Sequence, residues 1–106
     1  MDNVSIIQEF INDWSTLDVE KLVAYFAEDG IYHNMPAGPI QGHDNLRAFI
    51  GGFTASWTKT DWDMLNIAGS GDIVFAERLD RTQAGEISVD LPCCGVFEME
   101  IGRAHV

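Results

Sequence analysis

The chain has 106 residues, of which 46% are hydrophobic, and its 17 acidic residues against 6 basic ones give a net charge of −11. A chain of this length supports one domain with a small core. The acidic balance argues against nucleic acid or an anionic membrane surface as a partner, because both would repel the chain. No apolar stretch approaches the roughly 20 residues that a membrane span needs.

Two further features of the sequence favour a cytoplasmic protein. The N-terminus, Met1-Asp2-Asn3, leads directly into an amphipathic pattern and lacks the basic and apolar regions of a secretory signal. The two cysteines, Cys93 and Cys94, are adjacent, and a disulfide between neighbouring residues would be strained. We therefore expect two reduced, buried thiols.

Three helices are predicted in the first half of the chain. Apolar residues from Ile6 to Trp14 recur at three- and four-residue spacing, which predicts the first helix. The second is predicted to begin at an N-cap, Asp18, and to end at Asp29-Gly30. The third is predicted from about residue 44 to residue 57.

Strands are predicted at residues 31–35, 62–68, 73–82 and 86–100, where the apolar pattern alternates or a turn sequence intervenes. Helices first and antiparallel strands after them predict an α+β domain, with the helices on one face of a curved sheet that encloses an apolar pocket. Both faces of the strand that begins at Ile73 are largely apolar, so we expect both to be covered.

Two pairs of polar residues are each predicted on one face of a strand. Tyr32 and Asn34 are two residues apart, and so are Arg78 and Asp80. A buried Arg-Asp pair is costly unless the charges satisfy each other, so the second pair is compatible with a structural ion pair as well as with an acid–base site. Likewise, Tyr32 and Asn34 are compatible with ordinary strand and turn positions.

Four short segments carry a family resemblance: Phe26-Ala27-Glu28-Asp29, Tyr32-His33-Asn34-Met35-Pro36, Glu77-Arg78-Leu79-Asp80 and Gly95-Val96-Phe97. In this order they resemble the limonene-1,2-epoxide hydrolase family, within the nuclear-transport-factor-like cone fold. The resemblance runs from about residue 6 to residue 100. It implies a cone-shaped, curved mixed β-sheet, a homodimer, and one-step hydrolysis of a small apolar, terpene-like epoxide to a vicinal diol without metal or cofactor.

The resemblance also implies roles for the polar residues. In the family, an Asp-Arg-Asp triad transfers protons while a Tyr and an Asn help to hold the attacking water. By resemblance, Tyr32 and Asn34 would position this water, Arg78 would bridge the carboxylates, and Asp80 would protonate the epoxide oxygen. Desolvation in an apolar pocket raises the pKa of a carboxyl group, which suits an acid.

The family's second Asp, the base that deprotonates water, has no counterpart in the printed sequence. In the family it lies on the last strand, in a segment resembling Trp-Arg-Asp-Tyr-Phe, whereas no Asp follows Asp90 here. The last six residues match the translation of a sequencing adapter, ATC GGA AGA GCA CAC GTC. We therefore expect residues 1–100 to be an incomplete cone-fold domain without its last strand, residues 101–106 to be non-native, and the hydrolase activity of this chain to be impaired.

Other candidate functional residues have simpler interpretations beside them. Glu98, Glu100 and Asp90 could replace the base, although acidic residues at a strand end are usually solvated. The histidines show no metal-ligand spacing, so no metal site is predicted. Six residues are predicted by face to line the apolar pocket, and each is also compatible with plain core: Ile11, Trp14, Phe53, Trp57, Leu91 and Cys93.

Two other functions remain open from the sequence, because a fold does not fix its chemistry. One is a ketosteroid-isomerase-like or polyketide-cyclase-like enzyme on the same fold, for which Asp80 and Tyr32 could suffice. The other is a non-catalytic module that binds a small molecule or dimerises.

Overall fold

The computed structural model describes residues 2–32, 38–100 and 103–105. The helices are α1 (Asn3–Asp13), α2 (Val19–Val23) and α3 (His43–Thr54), with one 3₁₀ turn (Trp14–Thr16) after α1. The strands are β1 (Ile31–Tyr32), β2 (Ile40–Gln41), β3 (Lys59–Ser70), β4 (Ile73–Ala84), β5 (Ile87–Glu100) and β6 (Arg103–His105). The helices pack on one face of a curved sheet, so the predicted α+β class is confirmed.

The second helix begins as predicted but ends earlier. The side chain of Asp18 accepts a hydrogen bond from the backbone N–H of Lys21 at 3.2 Å, which makes Asp18 the N-cap. The helix ends at Val23 and not at Gly30, because the following residues form tighter turns. In one of them, the N–H of Phe26 donates to the carbonyl oxygen of Val23 at 3.0 Å.

The main sheet has the strand order β3-β4-β5-β6, and β1 pairs with β2 apart from it. The pairings among the described strands are antiparallel, whereas the family resemblance implied a mixed sheet. Strand β6 pairs with the end of β5 through backbone groups, which are available whatever the side chains are. The described part of the first predicted strand is β1 alone, since residues 33–37 lie outside the described ranges.

Strand β3 contains a bulge at Leu65, a residue that lies outside the regular register with β4. The bulge shifts the pairing by one residue along the first half of β3. As a result Trp62, and not Asp63, pairs with Asp80. Because paired residues share a face of the sheet, Trp62 and Asp80 project to the same side.

The two faces of β4 differ in exposure. Val74 and Ala76 are fully buried on the inner face, beneath the helices. On the outer face Phe75 is 45% exposed, and its cross-strand neighbour Val96 is 49% exposed. The prediction that both faces are covered was therefore wrong for the single chain, because apolar alternation does not show whether anything packs on a face. Cys94, expected to be buried, is also exposed.

The hydrophobic core lies between the helices and the inner face of the sheet. Phe10 makes edge contacts with four aromatic rings, including Trp14 and Phe97. Ile11 and Trp14 are 1% and 0% exposed and belong to this core. No helix in the described ranges is both long and apolar enough to cross a membrane.

Candidate active site

A cavity of about 250 Å³ opens over the inner face of the sheet, beside β1 and the end of α3. Its polar lining residues are Tyr32, Arg78, Asp80, Thr82 and Cys93. The other lining residues are apolar: Phe53, Trp57, Trp62, Ala84, Ile87, Val89 and Leu91. An apolar cavity with a few convergent polar groups is the usual form of a small-molecule site.

An ion pair lies at the wall of this cavity. Arg78 Nε donates a hydrogen bond to Asp80 Oδ1 at 2.9 Å, and the two side chains are 11% and 9% exposed. Both project from the inner face of β4 because they are two residues apart. Desolvating two charges is costly, and the mutual hydrogen bond offsets part of that cost.

The surroundings of Asp80 favour its protonated form more than water does. Burial has the largest influence and raises the pKa of this carboxyl group above its ordinary value, while Arg78 and then the thiol of Cys93 lower the pKa by less. The pKa of Cys93 is raised as well, first by burial and then by the charge of Asp80. Asp80 therefore keeps its proton to a higher pH than an exposed carboxyl group, as a general acid requires.

Tyr32 contributes a phenol group to the same wall. It is 8% exposed, stacks on Phe26 with ring centroids 6.1 Å apart, and meets the edge of Phe49 at 5.7 Å. Burial raises the pKa of Tyr32 to about 12, so the hydroxyl group is protonated at neutral pH and available as a donor. Aromatic rings thus contact Tyr32 on two sides.

The structure brings together most of the residues that were predicted for the site. Tyr32, Arg78 and Asp80 line one cavity, together with four of the six predicted pocket residues: Phe53, Trp57, Leu91 and Cys93. Ile11 and Trp14 do not line it and lie in the core instead. Asn34 lies outside the described residues.

The alternative acidic and histidine candidates lie away from the cavity lining or outside the described part. Asp90 and Glu98 are exposed on β5, and Asp90 pairs with Arg81 on the outer face. His43 Nε2 lies 2.8 Å from the carbonyl oxygen of Phe26, a structural contact. His33 and the side chain of Glu100 are outside the described part. No group of three or more metal-ligating side chains comes together among the described residues.

Five lining residues were not predicted from the sequence: Trp62, Thr82, Ala84, Ile87 and Val89. Thr82 and Ala84 continue the inner face of β4 at two-residue spacing from Asp80, so alternation could have found them. In the same way, Ile87 and Val89 precede Leu91 on β5. Trp62 gave no such signal, because its position opposite Asp80 depends on the bulge in β3.

Three solved structures with the same fold differ in their described functions. An LEH-like epoxide hydrolase from M. tuberculosis is 23% identical, with a TM-score of 0.84, covering 97% of this chain and 77% of that chain. A protein with a ketosteroid isomerase-like fold from Catenulispora acidiphila, solved with trimethylamine, is 16% identical, with a TM-score of 0.84, covering 94% and 79%. A SnoaL-like protein from Shewanella putrefaciens, described as a polyketide cyclase, is 14% identical, with a TM-score of 0.83, covering 99% and 86%.

The similarity to these structures shows the fold alone, whereas a match to a family model shows the family. Residues 7–105 match the SnoaL-like domain, which is nearly the whole chain. Members of this fold include epoxide hydrolase-like, ketosteroid isomerase-like and polyketide cyclase-like proteins. The chain belongs to the SnoaL-like domain family.

Proposed function

We propose that this protein binds a small apolar epoxide in the cavity and adds water to it, giving a vicinal diol without metal or cofactor. The observation that carries the proposal is a carboxyl group, Asp80, whose pKa is raised by burial in an apolar cavity and which is paired with Arg78. The resemblance of the Tyr32, Arg78 and Asp80 segments to epoxide hydrolases supports it, and so does the fold shared with the LEH-like enzyme.

In the proposed step, the oxygen of a water molecule forms a bond to one epoxide carbon while the ring C–O bond breaks. The released oxygen takes the proton of Asp80, so that no free alkoxide forms. Tyr32, protonated at neutral pH, helps to orient the water. Arg78 stabilises the carboxylate that remains on Asp80.

The same step requires a base that accepts a proton from water. Among the described lining residues, Asp80 is the one carboxylate, and it is assigned as the acid. We propose that the base is an Asp encoded after Glu100 in a longer form of the chain, as the family resemblance implies. Under this proposal residues 101–106 are not part of the native sequence, and reading genomic DNA past the Glu100 codon tests it.

The first prediction compares two forms of the protein on a cyclic terpene epoxide. The 106-residue chain is expected to release little or no diol, and a form extended by the native codons after Glu100 is expected to hydrolyse the epoxide. Gas chromatography of the diol, with ¹⁸O-labelled water to identify the incoming oxygen, provides the measurement. Equal turnover by the two forms would contradict the assignment of the base.

A second candidate function is an isomerase-like proton transfer on the same fold. Asp80 and Tyr32 lie at one wall of the cavity, where the Asp80 carboxylate could carry a proton between two atoms and the protonated phenol could donate a hydrogen bond, and the structure from Catenulispora acidiphila shares this fold. A steroid enone assayed beside the epoxide separates the two functions. Turnover of the enone alone would favour the isomerase, while ligand binding without any turnover would favour a binding module.

We also propose that the outer face of the sheet joins two copies of the protein. Phe75 and Val96 are paired across β4 and β5 on this face, and both are close to half exposed. Adjacent exposed apolar side chains are typical of the centre of a protein interface. This pairing agrees with the homodimer that the family resemblance implies.

The second prediction concerns this interface. Phe75→Asp is expected to convert a dimer into a monomer, because two copies of a new charge would be desolvated between the sheets. Size-exclusion chromatography with light scattering measures the mass. Val89→Asp places the same charge on the cavity side and is expected to leave the dimer intact. A wild-type protein that is monomeric at every accessible concentration would overturn the proposal.

A cytoplasmic location is proposed on the state of the thiols. Both cysteines are free, and Cys94 is exposed. A reducing compartment keeps such thiols unoxidised.

A further inference from the structure

Trp62 lies beneath the guanidinium group of Arg78. The carbon at the centre of that group is 4.7 Å from the centroid of the Trp62 ring, which is the geometry of a cation–π contact. Trp62 pairs across the strands with Asp80, so the indole, the guanidinium group and the carboxyl group share one face of the sheet. The guanidinium group of Arg78 thus contacts both the Trp62 ring and, through Nε, the carboxyl group of Asp80.

Trp62 is itself held by a second indole. It stacks on Trp14 with ring centroids 4.3 Å apart and an interplanar angle of 18°. The exposed fractions of the two residues are 9% and 0%. Their indole N–H groups make no hydrogen bond to any described residue, so ring contacts rather than polar ones orient Trp62.

The unmatched N–H of Trp62 needs a physical reason. A buried donor without a partner costs free energy, which a phenylalanine ring, although smaller, would avoid. Among aromatic rings, however, indole gives the strongest cation–π attraction. The contact with Arg78 is therefore expected to be weaker with phenylalanine than with tryptophan.

The far end of Arg78 is confined on another side by Gly95. A Cβ atom at Gly95 would lie 2.9 Å from Nη1 of Arg78, closer than such contacts occur. A glycine at this point on β5 leaves room for the guanidinium group to lie against the sheet. Arg78 is thus limited by the bare backbone of Gly95 and by the face of Trp62, and its Nε is bound to Asp80.

We propose that Trp62 is a positioning residue, which holds the guanidinium group of Arg78 within hydrogen-bonding reach of Asp80. The contact between Trp62 and Arg78 is a feature of the structure, while its importance for catalysis rests on the proposed epoxide hydrolysis. The thiol of Cys93 on β5 also acts on Asp80, and the charge of Asp80 in turn raises the pKa of Tyr32 on β1.

The titration of Asp80 tests this role without any turnover. In the 106-residue protein, the ¹³C chemical shift of the Asp80 carboxyl carbon is followed against pH for wild type, Trp62→Phe and Trp62→Leu. Because Arg78 lowers the pKa of Asp80, a less confined guanidinium group is expected to raise the midpoint. The titration midpoint of Asp80 is expected to be lowest in wild type, higher in Trp62→Phe and highest in Trp62→Leu. An unchanged or lowered midpoint in both variants would overturn the proposal.

A double-mutant cycle with Arg78→Met separates positioning from packing. If Trp62 acts through Arg78, Trp62→Phe and Trp62→Leu are expected to leave the midpoint unchanged in the Arg78→Met background. Shifts of equal size in both backgrounds would show that Trp62 acts only through packing or hydration, and would overturn the proposal. Should Trp62→Leu fail to fold, Trp62→Phe completes the cycle alone. A failure of epoxide turnover, in contrast, would overturn the proposed function and not this contact.

Discussion

Replacing Asp80 with asparagine is expected to lower kcat for epoxide hydrolysis by about 10²–10⁴-fold, the usual contribution of a general acid. Asparagine has nearly the same shape, and its carbonyl oxygen can still accept the hydrogen bond from Arg78 Nε. It has no acidic proton to give to the epoxide oxygen. Initial rates of diol formation, measured on the extended form of the protein, test this expectation.

A matched control for this substitution lies on the same strand. Glu77→Gln removes a carboxylate from the exposed outer face of β4, where Glu77 accepts a hydrogen bond from Asn66. This variant is expected to retain wild-type rates. A loss of activity as large as that of Asp80→Asn would indicate a general effect of charge, and would contradict the assignment of Asp80 as the acid.

The pH profile of epoxide hydrolysis by the extended form of the protein provides a second check on Asp80. The active form of an acid is the protonated one, so the rate is expected to fall as pH rises through the pKa of Asp80. Because burial raises this pKa, the fall is expected at a higher pH than for an exposed carboxyl group. The residual rate of Asp80→Asn is expected to lack this limb of the profile. The same limb in the variant would assign it to another group.

Replacing Trp14 with alanine is expected to lower the free energy of unfolding by about 3–5 kcal/mol, the usual cost of removing a large buried aromatic side chain. Trp14 is fully buried and contacts three aromatic rings, Phe10, Trp57 and Trp62. The loss is comparable with the whole stability of many small domains. Urea unfolding, followed by circular dichroism, measures it.

A second tryptophan provides the comparison for this substitution. Trp57 lines the cavity and is only partly buried, so Trp57→Ala is expected to destabilise the protein by less than Trp14→Ala. Trp57→Ala is expected to weaken the binding of an apolar ligand directly. The opposite ranking of the two stability losses would contradict the placement of Trp14 in the core.

The sequence was sufficient to predict the elements that depend on local pattern. Three- and four-residue spacing predicted the helices, and Asp18 was recognisable as a cap because its side chain acts within one turn. The shared face of Arg78 and Asp80 followed from two-residue spacing on one strand. These features depend on residues that are close together along the chain.

Features that depend on distant packing were predicted less well. Alternation shows that a strand has two apolar faces, but it does not show which is covered, and Phe75 proved to be exposed. The apolar stripe of α1 does not show depth, so Trp14 was expected at the pocket and lies behind it. The cation–π contact of Trp62 depends on the register between β3 and β4, and the bulge at Leu65 shifts that register by one residue.

The bulge at Leu65 therefore selects the chemical neighbour of Asp80. Were β3 and β4 paired without it, continuing the register of Asn66 and Glu77 would set Asp63 opposite Asp80. Two carboxyl groups would then lie side by side and repel each other when ionised. With one residue displaced, an electron-rich ring lies there instead, and Arg78 has a cation–π surface below it. The electrostatics of this wall are thus encoded in the alignment of two strands as much as in the identities of the residues upon them.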